Sequence, residues 1–230
     1  MSTNTKSDNA IALFDEGSDQ QVSRRKFLGY VGATSALLAT AASCKKSSSD
    51  NGVNLGSGDV GVLNYAYALE QLEAAFYTQV IATQYTGITA QETSYLTDVR
   101  DHEVAHREFF KAALGASAIP ALSVTFASVN FSDRNSVLGT AKTFEDLGVS
   151  AYNGAGRLLV SPDYLTLAGK IVSVEARHAA LIRDLIMYNS FADSTVIDSN
   201  GLDVVRAPSA VLAAASPFLI TKIDASHLPS

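Results

Sequence analysis

A single cysteine, Cys44, stands in 230 residues, so the chain can form no internal disulfide and no cysteine-built zinc or iron–sulfur site. Tryptophan is absent, and nine Tyr and ten Phe must supply the aromatic bulk of a core. Lys and Arg number 17 against 23 Asp and Glu, a formal charge of −6. No basic stripe of the sort that grips nucleic acid is present. The first 43 residues hold four basic (Lys6, Arg24, Arg25, Lys26) and four acidic residues (Asp8, Asp15, Glu16, Asp19), so the whole excess belongs to residues 44–230. With 47% apolar and 17% charged residues, the composition fits one globular domain plus a leader.

That leader reads as an address. Ser23-Arg24-Arg25-Lys26-Phe27-Leu28-Gly29 is followed by a moderately apolar run from Tyr30 to Ala42, too short for a permanent membrane span but suited to a signal sequence. It resembles a twin-arginine export signal over about 20 residues, and residues 1–43 are expected to be the signal peptide. Ala41-Ala42-Ser43-Cys44 looks like a loose lipobox, with Ala41 in place of the more usual Leu, which would make Cys44 the lipidated first residue of the mature protein. Cleavage by an ordinary signal peptidase, leaving a soluble periplasmic protein, is the alternative. Residues 44–58, rich in Ser, Gly and Asn, are expected to be a flexible tether.

Residues 59–190 carry four helical patterns. The first is expected from Asp59, as N-cap, to about Thr83, with Leu63, Tyr67, Glu70, Ala74, Tyr77 and Ile81 on one stripe. Thr89-Ala90-Gln91-Glu92 has the form of a capping box and opens a second helix that Gly115 ends. Its inner stripe is Leu96, Val99, Glu103, His106 and Phe110. Residues 116–132, with Pro120 and no helical period, form a crossover. A third helix is expected from about Asp133 to Leu159, with Leu138, Ala141, Glu145, Val149 and Tyr152 in line. Ser161-Pro162 starts the fourth, which runs to about Asn189 through Tyr164, Ala168, Ile171, Glu175, His178, Ile182 and Leu185. The extension 191–230 is expected to hold one short packing helix. The fold class is therefore all-α: a four-helix bundle of two antiparallel hairpins joined by a long crossover.

Two features of the spacing point to a buried metal site. Glu70 and Glu103 are equidistant from the first turn, and Glu145 and Glu175 from the second, so each hairpin brings its two glutamates level. The pattern also repeats: Tyr77 follows Glu70 by seven residues as Tyr152 follows Glu145, and each such helix precedes a Glu-x-x-His. Four inward Glu and two inward His form the ligand set of a dinuclear site in a bundle. Glu and His three apart share a helix face. Two divalent ions would balance four carboxylates that are costly to bury uncompensated; without metal, those carboxylates should hold protons. Mixed carboxylate and imidazole donors suit iron or manganese.

The segments LNYAYALEQLEAAFY, FEDLGVSAY and VEARHAALIR resemble the ferritin-like superfamily of di-iron and di-manganese carboxylate proteins, most closely the bacterial ferritin-like domain family associated with desiccation-related proteins. The resemblance implies that Glu70, Glu103, His106, Glu145, Glu175 and His178 bind two divalent transition-metal ions, iron or manganese, with Glu103 and Glu175 as bridges. It implies an exported protein, periplasmic and anchored through Cys44, that reacts with dioxygen or hydrogen peroxide. A non-catalytic envelope protein for stress protection or partner binding is the alternative. A homo-oligomer is among the expected assemblies; nucleic acid is not an expected partner.

Glu73 competes with Glu70 as ligand, and the Tyr77/Tyr152 symmetry favours Glu70. Both tyrosines are expected to be core aromatics hydrogen-bonded to ligands. His102 is expected to face away from the site, and His227 to be solvated. Asp101, Asp146 and Asp184 are either acceptors for imidazole N–H groups or surface residues.

Overall fold

A computed structural model describes residues 52–229. The leader, Cys44 and the first part of the tether lie outside the described residues. Four long helices dominate: α1 (Gly58–Ala82), α2 (Ala90–Leu114), α3 (Arg134–Gly156) and α4 (Pro162–Ile186). Helices α1 and α2 pack as one hairpin, α3 and α4 as the other, and the crossover between Leu114 and Arg134 joins them. This is the expected all-α bundle.

Local chemistry sets the helix ends. Thr89 and Glu92 form both hydrogen bonds of a capping box, and Asp133 accepts from the amides of Asn135 and Ser136. Ser161 caps α4 with Pro162 behind it. Asp59 is not the N-cap of α1; Ser57 is. The Asp59 carboxylate instead accepts from the amides of Val160 and Ser161, at 2.8 and 2.9 Å, and so ties the start of α1 to the second hairpin turn. Helices α3 and α4 each stop three residues short of the sequence expectation, at Gly156 and Ile186.

Helix α1 is the centre of the molecule, buried without interruption from Gly61 to Ala74. Its outer side is covered by the crossover, and two amide side chains make that cover specific. Asn64 donates to the carbonyls of Leu55 and Ser117 and accepts from the amide of Ile119. Gln71 accepts from the amide of Leu122. Buried backbone groups of the crossover, which would otherwise lack partners, are satisfied this way.

Chain segments at both ends of the described region pack onto the bundle. Strand β1 (Val53–Asn54) pairs in parallel with β2 (Ile223–Asp224), Val53 opposite Ile223, and Leu55 is fully buried. The tether expected through residue 58 is therefore held from Val53 onward. Apolar Val53 and Leu55 flank a backbone that finds hydrogen bonds on Lys222 and Asp224. In the extension, helix α5 (Pro208–Ala215) follows an irregular run that crosses α3. There Arg206 donates its amide to the carbonyl of Ser150. A Cβ at Gly154 would lie 1.8 Å from the Arg206 carbonyl oxygen, so only glycine admits this crossing. Phe218 then stacks edge-on against Phe144, ring centroids 4.7 Å apart.

Candidate metal centre

One inward stripe on each long helix supplies the centre. Glu70 on α1, Glu103 and His106 on α2, Glu145 on α3, and Glu175 and His178 on α4 all reach the same interior space. The four carboxylates are fully buried. His106 is the most open member, its side chain 12% exposed.

The donor atoms sort into two sets of four. The first comprises Glu70 Oε2, Glu103 Oε2 and Glu175 Oε1 around His106 Nδ1, at 3.5, 3.6 and 2.9 Å. The second comprises Glu103 Oε1, Glu145 Oε2 and Glu175 Oε2 around His178 Nδ1, at 2.8, 3.5 and 3.9 Å. Glu103 and Glu175 belong to both sets, each turning one oxygen to either histidine.

These close approaches lack the directionality of hydrogen bonds. All eight atoms are buried without a hydrogen-bond partner. Such orphans are costly in a protein interior and call for an explanation. Donors about 2.1 Å from one ion lie roughly 3 to 4.2 Å from each other, and each residue group offers donors within 4.8 Å of one another. The cluster is therefore compatible with a di-metal site, four donors to each position.

The remaining carboxylate oxygens are held by tyrosines, crosswise between the hairpins. Tyr77 on α1 donates to Glu145 Oε1 on α3 at 2.5 Å, and Tyr152 on α3 donates to Glu70 Oε1 on α1. Each terminal glutamate thus has one oxygen fixed and the other facing the donors. Burial, reinforced by these carboxylates, pushes both phenols well above their ordinary range, so they stay protonated donors.

As protein groups alone, the cluster holds protons. Burial lifts Glu70 to about 7, against the pull of the nearby His106 imidazole. Burial also raises Glu145, and with the charge of Glu103 it pushes Glu175 well above the carboxylate range. Glu103 is the exception. Burial raises it too, but the close imidazoles of His106 and His178 outweigh that and hold it at about 2. Burial lowers both imidazoles, yet the surrounding carboxylates win and carry His106 to about 12 and His178 to about 10.

Glu73 is a fifth buried glutamate. It contributes no atom to either donor group. Burial and then the charges of Glu103, Glu175, Glu145 and Glu70 push its carboxyl well above the usual range, so it stays neutral beside the centre. Space for it comes from Gly148, where a Cβ would lie 3.1 Å from Glu73 Oε1 and 3.6 Å from Glu175 Oε2.

His102 corrects a sequence expectation. Far from facing away, it places Nδ1 2.9 Å from Nε2 of His178, with the two rings parallel. It thereby holds the outer nitrogen of an imidazole whose inner nitrogen faces the carboxylates. The signal was present in the sequence: His102 lies four residues before His106 on the same face of α2. None of the three aspartates takes that place. Asp146 pairs with Arg183 at 2.7 and 2.8 Å, Asp184 accepts from the amide of Asn189, and Asp101 pairs with Arg100.

The family model of the ferritin-like domain matches residues 58–188, more than half of the chain and all four long helices. No curated protein matches the sequence.

Proposed function

The chain belongs to the ferritin-like domain family, and on that footing we propose that its buried cluster is a dinuclear iron or manganese centre reacting with dioxygen or hydrogen peroxide. One observation carries the proposal: the eight orphaned buried atoms divide into two sets of four that share Glu103 and Glu175. In this reading Glu70 and His106 would hold one ion and Glu145 and His178 the other, with Glu103 and Glu175 available to both. A bound pair of ions would supply Lewis-acid binding of the oxidant and electrons for its reduction.

The chain's own residues do the rest. Tyr77 and Tyr152 pin one oxygen each of Glu145 and Glu70, leaving the second free to shift as the charge at the centre changes. Full burial of the carboxylates keeps bulk water away and strengthens each electrostatic interaction. Glu73 lies outside both donor sets, so four carboxylates would balance two divalent cations. His102 shares a proton with Nε2 of His178, which directs the lone pair of Nδ1 inward.

The test is reconstitution of the mature chain with Fe2+ or Mn2+, elemental analysis, then consumption of dioxygen and peroxide. Less than one transition-metal ion per chain ends the proposal; metal uptake without turnover favours a structural centre in an envelope stress-protection protein. Glu103→Gln with Glu175→Gln should abolish both uptake and turnover. Export by the twin-arginine route and lipid attachment at Cys44 complete the proposed setting. Arg24→Lys with Arg25→Lys should retain the protein in the cytoplasm, and Cys44→Ser should release it from the membrane fraction.

A further inference from the structure

One turn along the bundle from the carboxylates lies a small cavity of about 20 Å³, with walls that are almost wholly apolar. All four long helices contribute at one level. Ala66 precedes Glu70 by one turn on α1, and Phe110 follows His106 by one turn on α2. Tyr152 follows Glu145 by two turns on α3, and Ala168 precedes Glu175 by two turns on α4. These are the site-facing stripes themselves, so the cavity is stacked on the centre along the bundle axis. Its inner limit is Tyr152, the residue whose hydroxyl is bonded to Glu70. Half-buried Gly156, Leu159 and Ala168 form the outer edge.

The symmetry-related end of the bundle is packed with bulkier side chains. Tyr77, the counterpart of Tyr152, packs edge-on against Phe76 at 5.1 Å, and Phe76 packs in turn on Phe144 and Phe126. Leu96, Leu138 and Ile182 fill the helix faces there and are fully buried. Small residues, Ala66, Ala151, Ala155 and Ala168, replace such bulk on the open side.

We propose that this cavity is a binding and entry site for dioxygen, which makes dioxygen rather than hydrogen peroxide the oxidant that the fold admits along the bundle axis. The volume suits a single molecule of about water size. The chemistry of the walls selects which one. A small polar molecule in a buried site needs about two to four hydrogen-bonding partners. The cavity offers two hydroxyls: that of Tyr152 is committed to Glu70, and that of Tyr65 is buried without a partner. Peroxide or an ion entering here would give up its water for at most one donor, whereas dioxygen gives up nothing. Peroxide keeps the polar side of the centre, where His106 is partly exposed and His102 lies at the surface.

The substrate assignment rests on the proposed metal centre; the binding site does not, and the test separates them. In the folded chain loaded with redox-inert Zn2+, raised dioxygen pressure should enhance the NMR relaxation of the Leu63, Leu69 and Ala151 methyls beyond that of surface methyls. Equal enhancement, or none, overturns the site whatever the metal content. Ala155→Leu, and separately the half-exposed Ala168→Phe, should abolish that enhancement. In iron- or manganese-loaded protein they should slow reaction with dioxygen about tenfold and leave metal content and the peroxide rate unchanged. Wild-type dioxygen rates in a plugged, metal-replete variant overturn the proposal, as does equal slowing with both oxidants. Failure of every form to take up iron or manganese defeats the metal reading and with it the substrate assignment, while the relaxation experiment still decides the site.

Discussion

With metal removed, the bundle should be more stable at about pH 5 than at about pH 7.5, the reverse of what metal retention demands. The sign follows from which state holds more protons. Glu70 is lifted from its ordinary 4.5 to about 7, first by burial. Between those values the folded chain keeps a proton that the unfolded chain has released, so stability falls as pH rises. That interval corresponds to about 3 kcal/mol for a fully buried group, a sizeable part of the roughly 5–15 kcal/mol that holds a domain together. Glu73, Glu145 and Glu175 are raised for the same reason and add in the same direction. The histidines extend the trend. His106 and His178 hold their protons to about 12 and about 10, so the stability they lend below 6.5 is lost progressively at higher pH. Glu103 opposes at the acid end. Held at about 2, it lends stability above 4.5 that disappears as pH falls through 2. The optimum of the metal-free chain therefore lies in weak acid.

Urea unfolding followed by circular dichroism in excess chelator measures this directly. The midpoint should drop between about pH 5 and 7.5 with the slope unchanged. In loaded protein, cations replace those protons, so uptake releases protons and affinity rises with pH. A chelated chain equally or more stable at the higher pH would refute the reasoning. So would outright unfolding on chelation at pH 5, because protons would then have failed to stand in for metal.

Gly148→Ala should separate fold from site: alanine favours α3 by up to about 1 kcal/mol, but its Cβ crowds Glu73 and Glu175. Calorimetry should show metal-free stability held or raised while metal affinity falls. His102→Ala should weaken the position held by His178 by about tenfold, read as loss of the tighter step in a Co2+ titration, with His102→Gln restoring part of it. Arg183→Ala should destabilise the fold by about 3 kcal/mol, since this buried side chain pairs with Asp146 and ties down Asp193 and Thr195. Metal stoichiometry of Arg183→Ala at low temperature should remain that of the parent chain.

Periodicity and capping are local properties, and what depends on them was legible in the chain. The Thr89–Glu92 box, the start at Ser161-Pro162 and the four inward stripes all stand where side-chain chemistry puts them. The level pairing of Glu70 with Glu103 and of Glu145 with Glu175 follows from hairpin geometry alone. What was illegible lies between elements. Nothing local to α1 shows that the crossover will bury its outer face, so Asn64 and Gln71 read as ordinary polar residues until their partners at 117–122 are known. Asp59 looks like a cap because a cap needs only its own helix, whereas its partners lie about a hundred residues away. The crosswise bonds from Tyr77 to Glu145 and from Tyr152 to Glu70 are of the same kind, since a repeat reveals equivalent positions without saying which hairpin each one serves.

The repeat also conceals how differently its two halves are completed. Glu-x-x-His occurs twice, yet among the described residues only His178 has a histidine hydrogen-bonded to its outer nitrogen. His106 instead gains solvent exposure. Of the two symmetric tyrosines, Tyr77 is enclosed by an aromatic cluster and Tyr152 borders a cavity. A partner on the outer imidazole nitrogen raises the basicity of the inner one, so the position of His178 should bind its cation more tightly. The position of His106, beside both the solvent side and the Tyr152–Glu70 pair, should load second and exchange first. On the proposed reading, the two halves of the bundle share a ligand pattern and would divide the work between a retained ion and an accessible one. That division arises from residues lying outside the repeated motif.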